Sequence, residues 1–118
     1  MRTIILALLL AFGSVSAAYA HASVVSSEPT DGQVLDASPE SIKITFSEAL
    51  RLDESLVSVY DANKKPINGL IVTKTGEDDI MSYTLPKLPS GTYTVKWKAV
   101  CLCTDHHVTK GSFKFTVK

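Results

Sequence analysis

GTYTVKWKAV, residues 91–100, is the stretch that decides the fold. Its large apolar side chains occur at every second position, at Tyr93, Val95, Trp97 and Ala99. A period of two is the spacing of one face of a β-strand, so the stretch predicts a strand whose inner face enters a core. SIKITF (residues 41–46) and SFKFTV (residues 112–117) show the same alternation. The aromatic residues of these runs are therefore interpreted as core residues.

Other short apolar runs bring the predicted number of strands to about seven; they are ASVVSS, SLVSVY, LIVTK and IMSYTL. Stretches rich in Gly, Pro, Asn and Asp, such as DANKKPING, separate them and are typical of turns. No segment after the first 20 residues shows a sustained helical period. Short, evenly spaced strands predict an all-β protein, a small antiparallel sandwich or barrel.

The first 20 residues have the layout of a secretory signal peptide. Arg2 precedes an apolar run over residues 4–12, and Ala18-Tyr19-Ala20 fits the A-x-A cleavage pattern. The apolar run is far shorter than the roughly 20 residues that span a bilayer. We therefore expect a cleaved signal peptide at 1–20 and one domain at 21–118 that begins with His21. Alternative cleavage sites follow Ala17, Ala18 and Ala22.

Charge is nearly balanced in the expected mature chain. Removal of Arg2 leaves 11 of the 12 Lys and Arg residues, against 12 Asp and Glu. Nothing resembles a polybasic face, so nucleic acid and an anionic membrane surface are not expected as partners.

The three histidines of the chain fall at two places, His21 at the predicted N-terminus and His106 and His107 beside Asp105. An N-terminal histidine can chelate a divalent cation through its α-amine and ring Nδ1. A second imidazole and a carboxylate would complete a nitrogen-rich set that suits Cu(II), with Zn(II) as the competitor. Such binding should weaken in acid, because the ligands must be deprotonated. The alternative is a solvated polar loop and an ordinary first residue.

Several motifs together resemble the CopC copper-resistance proteins of the bacterial periplasm. They are HA…SSEP…G, SPESIKITFSEAL, LPSGTYTVKWKAV and DHHVTKGSFKFTV. The two most specific elements are a histidine as first mature residue and the pattern D-x-H-x-x-x-G, met by Asp105, His107 and Gly111. The resemblance implies a cupredoxin-like Greek-key sandwich, related in architecture to immunoglobulin domains. It also implies a protein that binds Cu(II) and passes copper on in the periplasm or to an inner-membrane transport protein of the CopD type.

Carried over to this chain, the resemblance implies that His21 supplies the amine and Nδ1 and that His107 supplies the opposite imidazole. Asp105 would supply a carboxylate, and Glu48 matches a position near the metal. Glu48 has the alternative of a solvated residue at a strand end. His106 is expected to point away from the ion.

Two features depart from the family pattern. Some members carry a Met-rich loop as a separate Cu(I) site, whereas Met81 is the only methionine after the leader, so that site should be absent. In relatives the aspartate usually follows the strand aromatic by about six residues, but Asp105 lies eight beyond Trp97. The extra length falls on Cys101-Leu102-Cys103.

Three roles remain open for Cys101 and Cys103. An exported chain with two cysteines can form a disulfide, although Cα atoms two residues apart in a straight strand are about 6.6–6.8 Å apart, at the limit of bridging. The pair also continues the inward face of residues 91–100 and could serve as small core residues. As soft thiolates, they would favour Cu(I).

Three classes of function follow. The first is a periplasmic copper carrier or buffer without turnover. The second is an oxidative copper enzyme, since polysaccharide monooxygenases also use an N-terminal histidine. Asp105 would occupy a copper position and the chain is short, which disfavours that class. The third is a metal-free secreted interaction module.

Overall fold

The computed structural model describes residues 22–118, so the predicted signal peptide at 1–20 and the predicted ligand His21 lie outside the described residues. Within that range the chain forms eight strands and no helix, and therefore no helix capable of crossing a membrane. The strands are β1 (Val24–Glu28), β2 (Gln33–Leu35), β3 (Ser41–Phe46), β4 (Leu56–Tyr60), β5 (Ile71–Thr73), β6 (Ile80–Thr84), β7 (Gly91–Val100) and β8 (Val108–Val117). The predicted all-β fold is confirmed.

The strands form two four-stranded sheets that pack face to face. One sheet has the order β1-β3-β6-β5 and the other the order β2-β8-β7-β4. Strands β7 and β8 make the longest ladder, which runs without a register shift from Gly91–Val117 to Val100–Val108. This hairpin carries the two ends of the loop that contains Asp105 and His107.

The core lies between the sheets and follows the period of two. In β3 the residues Ile42, Ile44 and Phe46 are buried while Ser41 and Lys43 are exposed. Inward residues of four other strands supply most of the rest of the core: Val57, Val59, Met81, Tyr83, Tyr93, Val95, Ala99, Phe113, Phe115 and Val117. The alternation arises because a strand presents successive side chains to opposite faces of its sheet.

Trp97 joins the two sheets. Its ring meets Phe46 of the opposite sheet edge-on, with ring centroids 5.1 Å apart. On its own sheet it faces Gly111 across the β7–β8 ladder. A Cβ atom at Gly111 would lie 2.7 Å from Trp97 Cε2 and closer still to Cζ2, so the indole occupies the space where any other residue would place its side chain.

A second aromatic contact stabilises the opposite end of the sandwich. Tyr93 stacks on Phe115 at 5.5 Å and donates a hydrogen bond from its hydroxyl to the Pro89 carbonyl at 2.6 Å. Burial raises the pKa of the Tyr93 phenol above its ordinary value of 10.0, and the negative charge of Asp61 adds to this effect.

Strand β2 has no counterpart among the predicted runs. It lies between two turn-rich segments and pairs in parallel with β8, from Gln33–Phe115 to Leu35–Val117. Two hydrogen bonds attach the residues just before β2 to β8. Gly32 N–H donates to the Lys114 carbonyl at 2.7 Å, and Lys114 N–H donates to Asp31 Oδ1 at 3.1 Å. The positive φ of Gly32, 82°, allows this approach.

Candidate metal centre

The loop of residues 101–107, hereafter the tip loop, connects β7 to β8. Immediately above the last ladder pair, Cys101 N–H donates a hydrogen bond to the His107 carbonyl at 2.8 Å. Within the loop His106 N–H donates to the Cys103 carbonyl at 3.3 Å, and His106 has a positive φ of 54°. These contacts fold the loop back on itself, so that His107 lies at the start of β8 rather than along an extended strand.

A second segment, residues 47–51 after β3, holds the tip loop from the side. Leu50 forms a bridge with Cys101, and Leu102 N–H donates to the Ala49 carbonyl at 3.0 Å. Arg51 N–H donates to the Val100 carbonyl at 2.8 Å. Backbone contacts with residues 47–51 therefore fix the tip loop, in addition to the β7–β8 hairpin from which it extends.

The same segment holds the beginning of the described chain. Ser23 N–H donates to Ser47 Oγ at 3.0 Å, and Ser47 N–H donates to the Ser23 carbonyl at 2.8 Å. The side chain of Ala22 is buried at 1% exposure among the core residues. Ser23, Ser47 and Leu102 thus lie at one end of the sandwich.

Asp105 and His107 are close together in the tip loop. His107 Nε2 lies 3.3 Å from Asp105 Oδ2, and the two side chains are 38% and 72% exposed. Two ligands each about 2.1 Å from one metal ion lie about 3.0 Å apart at a right angle and about 3.4 Å apart at a tetrahedral angle. The separation of the two atoms therefore suits neighbouring ligands of a single ion, as well as a direct ion pair.

The remaining predicted site residues are placed as follows. Glu48 is half-buried in the segment that holds the tip loop, and His106 is exposed. No group of three or more His, Cys, Asp or Glu side chains within residues 22–118 is arranged to hold a metal ion. Asp105 and His107 therefore offer two donors, and the predicted third, His21, lies outside the described range.

Cys101 and Cys103 form a disulfide. The chain bends after β7, which brings their Cα atoms to 5.2 Å, well below the spacing of a straight strand. Cys101 is buried at 2% exposure and Cys103 is half-buried. The inward face of β7 thus continues through Cys101, as the alternation suggested, while Cys103 belongs to the bend.

Sequence reasoning missed a buried hydroxyl beneath the site. Ser55, at 7% exposure, accepts a hydrogen bond from Val100 N–H at 3.0 Å and donates one to the Arg51 carbonyl at 2.8 Å. It thereby ties β7 to the segment leading into β4. Serine is so common at strand starts and turns that its sequence position gives no signal of this role.

A groove of about 830 Å³ lies elsewhere on the described part of the chain. It opens between the edge strands β4 and β5, with Leu56, Val72 and Met81 in its walls. Neither Asp105 nor His107 lines it. A metal ion needs converging donor atoms rather than a cavity, so the tip loop remains the candidate centre.

The sequence and the fold of this chain are similar to those of several known proteins. Residues 24–118 match the model of the CopC domain. The chain is 32% identical over 117 residues to copper resistance protein C of Escherichia coli, which covers 92% of this chain and 90% of that protein. It is 30% identical over 101 residues to the copper transport protein CutJ of Bacillus subtilis, covering 84% of this chain and 18% of CutJ. Its fold matches the crystal structure of PcoC, a methionine-rich copper resistance protein from Escherichia coli, with a TM-score of 0.73 and 31% identity over 84% of this chain and 100% of that one.

Proposed function

Because this chain belongs to the CopC domain family, as its motifs predicted, we propose that it is an exported copper-binding protein. It would hold Cu(II) between the amine and ring of His21 and the side chains of His107 and Asp105. It would act as a periplasmic carrier or buffer, without turnover, and deliver copper to an inner-membrane transport protein.

The observation that carries this proposal is the contact network at one end of the sandwich. Ser23 is bound to Ser47, and two residues further Ala49 accepts a hydrogen bond from Leu102 in the tip loop. The described chain therefore begins at the end of the sandwich that carries His107. This supports a site completed by the first residue of the mature chain.

The donor types support copper in particular. Imidazole and amine nitrogens in a tetragonal plane suit Cu(II), which also has the highest affinity of the divalent first-row metals for a given nitrogen site. Asp105 would add a carboxylate, and Glu48, on the segment that holds the tip loop, would lie near the ion. Copper is the cargo of such a protein, so the ligands need only bind it and release it.

Export and metal binding would be coupled through one bond. Before cleavage the nitrogen of His21 is a peptide amide, which is a poor ligand until it loses its proton. Cleavage after Ala20 turns it into an amine that closes a chelate ring with the imidazole. The precursor should therefore bind Cu(II) much more weakly than the processed protein.

Titration of the processed protein with Cu(II) tests the proposal. We expect one Cu(II) per chain and an electron paramagnetic resonance spectrum with couplings to several nitrogens. His21→Ala and His107→Ala should each lower the affinity at least ~100-fold, since each removes ligand atoms from the ion. A chain with one alanine added before His21 keeps the imidazole of His21 but no longer has a free amine on that residue. Its affinity for Cu(II) should fall by a similar factor.

His106→Ala is the matched control, because it removes the neighbouring exposed imidazole of the same loop and should leave the affinity within about threefold. Absence of stoichiometric Cu(II) binding would refute the proposal, as would binding that is indifferent to both His21→Ala and His107→Ala. Reductant- and oxygen-dependent turnover of a substrate would instead favour an enzyme.

A further inference from the structure

We propose that Cys101 and Cys103, once their disulfide is reduced, form a two-thiolate site for Cu(I) at the base of the tip loop. The site is separate from the Cu(II) ligands and does not require His21. The protein would bind Cu(I) at this site only when the two cysteines are reduced.

The first observation is that the disulfide does not hold the fold together. It joins residues two positions apart in one loop and connects neither sheet to the other. The chain-entropy effect of a cross-link grows with the length of the loop that it closes, and this loop is close to the shortest possible. The disulfide therefore contributes little to stability, and the two cysteines are better explained by a chemical role.

The second observation is that backbone contacts keep the two residues in place independently of the S–S bond. Cys101 N–H is bonded to the His107 carbonyl, and Leu102 N–H, between the two cysteines, is bonded to the Ala49 carbonyl. The Cys103 carbonyl accepts a hydrogen bond from His106 N–H. All these bonds are made by the main chain, so they can persist after reduction and keep the two Cα atoms near their present 5.2 Å.

The third observation is the environment of the two sulfur atoms. Cys101 is buried at 2% exposure next to Leu50, whereas Cys103 is half-buried in the bend. A small reductant can reach the disulfide from the side of Cys103, while the burial of Cys101 suits a site with few ligands. Soft thiolates select Cu(I), whereas the imidazole and carboxylate of the neighbouring residues suit harder divalent ions.

The chemistry balances with a dithiol as reductant. The dithiol supplies two electrons and two protons, the Cys101–Cys103 bond breaks, two thiols form, and the dithiol closes its own disulfide. Cu(I) then displaces both thiol protons and forms two Cu–S bonds, without change in its oxidation state. In the oxidised protein each sulfur is already bonded to the other, and neither can act as a thiolate.

A competition titration tests the proposal. The processed protein is reduced with a dithiol, freed of reductant under nitrogen, and titrated with Cu(I) against a chromophoric Cu(I) chelator. We expect one tightly held Cu(I) per reduced chain and sulfur neighbours in its X-ray absorption spectrum. Oxidised protein and the Cys101→Ser/Cys103→Ser variant should bind this Cu(I) at least ~100-fold more weakly. The His21→Ala variant should keep Cu(I) binding when reduced, which separates a failure of this site from a failure of the Cu(II) site.

A second measurement does not depend on the serine variant. Bound Cu(I) should protect both thiols of the reduced wild-type protein from alkylation, as counted by intact mass, and a stronger thiol ligand should remove that protection. The proposal is overturned if reduced wild-type protein binds Cu(I) no more tightly than the oxidised form, if the bound ion has no sulfur neighbours, or if reduction unfolds the domain.

Discussion

Replacement of Gly111 by alanine tests the packing that underlies the hairpin. In a strand, glycine to alanine normally stabilises a protein by up to about 1 kcal/mol, because it restricts the unfolded chain. At Gly111 we expect the substitution to destabilise the protein instead. The new Cβ would lie 2.7 Å from Trp97 Cε2 and 3.0 Å from Trp97 Nε1, so the indole must move.

The size of the destabilisation follows from the packing contacts that the indole of Trp97 loses when it moves. Forcing one extra carbon into a packed site costs about 1–3 kcal/mol. Displacing Trp97 from its edge-on contact with Phe46 forfeits about another 0.5–1.5 kcal/mol. Set against the gain of up to about 1 kcal/mol, these contributions span about 0.5–4.5 kcal/mol, so Gly111→Ala should lower the free energy of unfolding by a central value of about 2–3 kcal/mol. For a domain of this size, that central value lowers Tm by roughly 10–20 °C.

The assay is thermal and urea unfolding of a double-mutant cycle. Trp97→Leu removes the atoms that the new Cβ meets, so Gly111→Ala should cost less than about 1 kcal/mol in that background. Ser112→Ala, at the exposed neighbouring position, is the control and should change stability by less than about 0.5 kcal/mol. An equal cost of Gly111→Ala in both backgrounds, or a stabilised single variant, would refute the reasoning.

Three further predictions concern the polar groups and cysteines. Ser55→Ala leaves the buried Val100 N–H without its acceptor and should cost about 1–3 kcal/mol in urea unfolding; a cost below about 0.5 kcal/mol would show that another acceptor replaces it. The raised pKa of Tyr93 means that the folded state retains its proton longer than the unfolded state, so stability should be full below pH 10 and fall as the pH rises above it. Tyr93→Phe should make that fall shallower in unfolding measured from pH 9 to 11, and an unchanged slope would assign it to other groups. Reducing the Cys101–Cys103 disulfide should lower stability by no more than roughly 1–2 kcal/mol in urea with reductant, because the closed loop is so short; a loss above about 3 kcal/mol would contradict this.

The strands were predictable from sequence where their burial alternates. Ile42, Ile44 and Phe46 point into the core and the residues between them do not, so a local pattern contains the information. Strand β2 was not predictable in this way. Its three residues contribute one partly buried side chain, Leu35, and its formation depends on parallel pairing with β8, some 80 residues away.

The candidate site, too, was predictable only in the features that a local sequence pattern contains. The residue types of Asp105 and His107 and their spacing in the motif indicated a metal-binding loop. The hydrogen bonds between Ser23 and Ser47 and between Ala49 and Leu102 connect residues 24 and 53 positions apart, and no local pattern indicates them. The bend at Cys101 likewise depends on contacts with Leu50 and His107, which the alternation of β7 does not contain.

The ladder between β7 and β8 makes the register of the core independent of the length of the tip loop. Its last pair, Val100–Val108, closes the hairpin below the tip loop, so insertions and deletions above that pair leave every register position beneath it unchanged. Residues added to the tip loop would therefore not require Trp97 or Gly111 to repack. The length and composition of the tip loop can therefore change, in evolution or in design, while the register and the core of the sandwich stay constant.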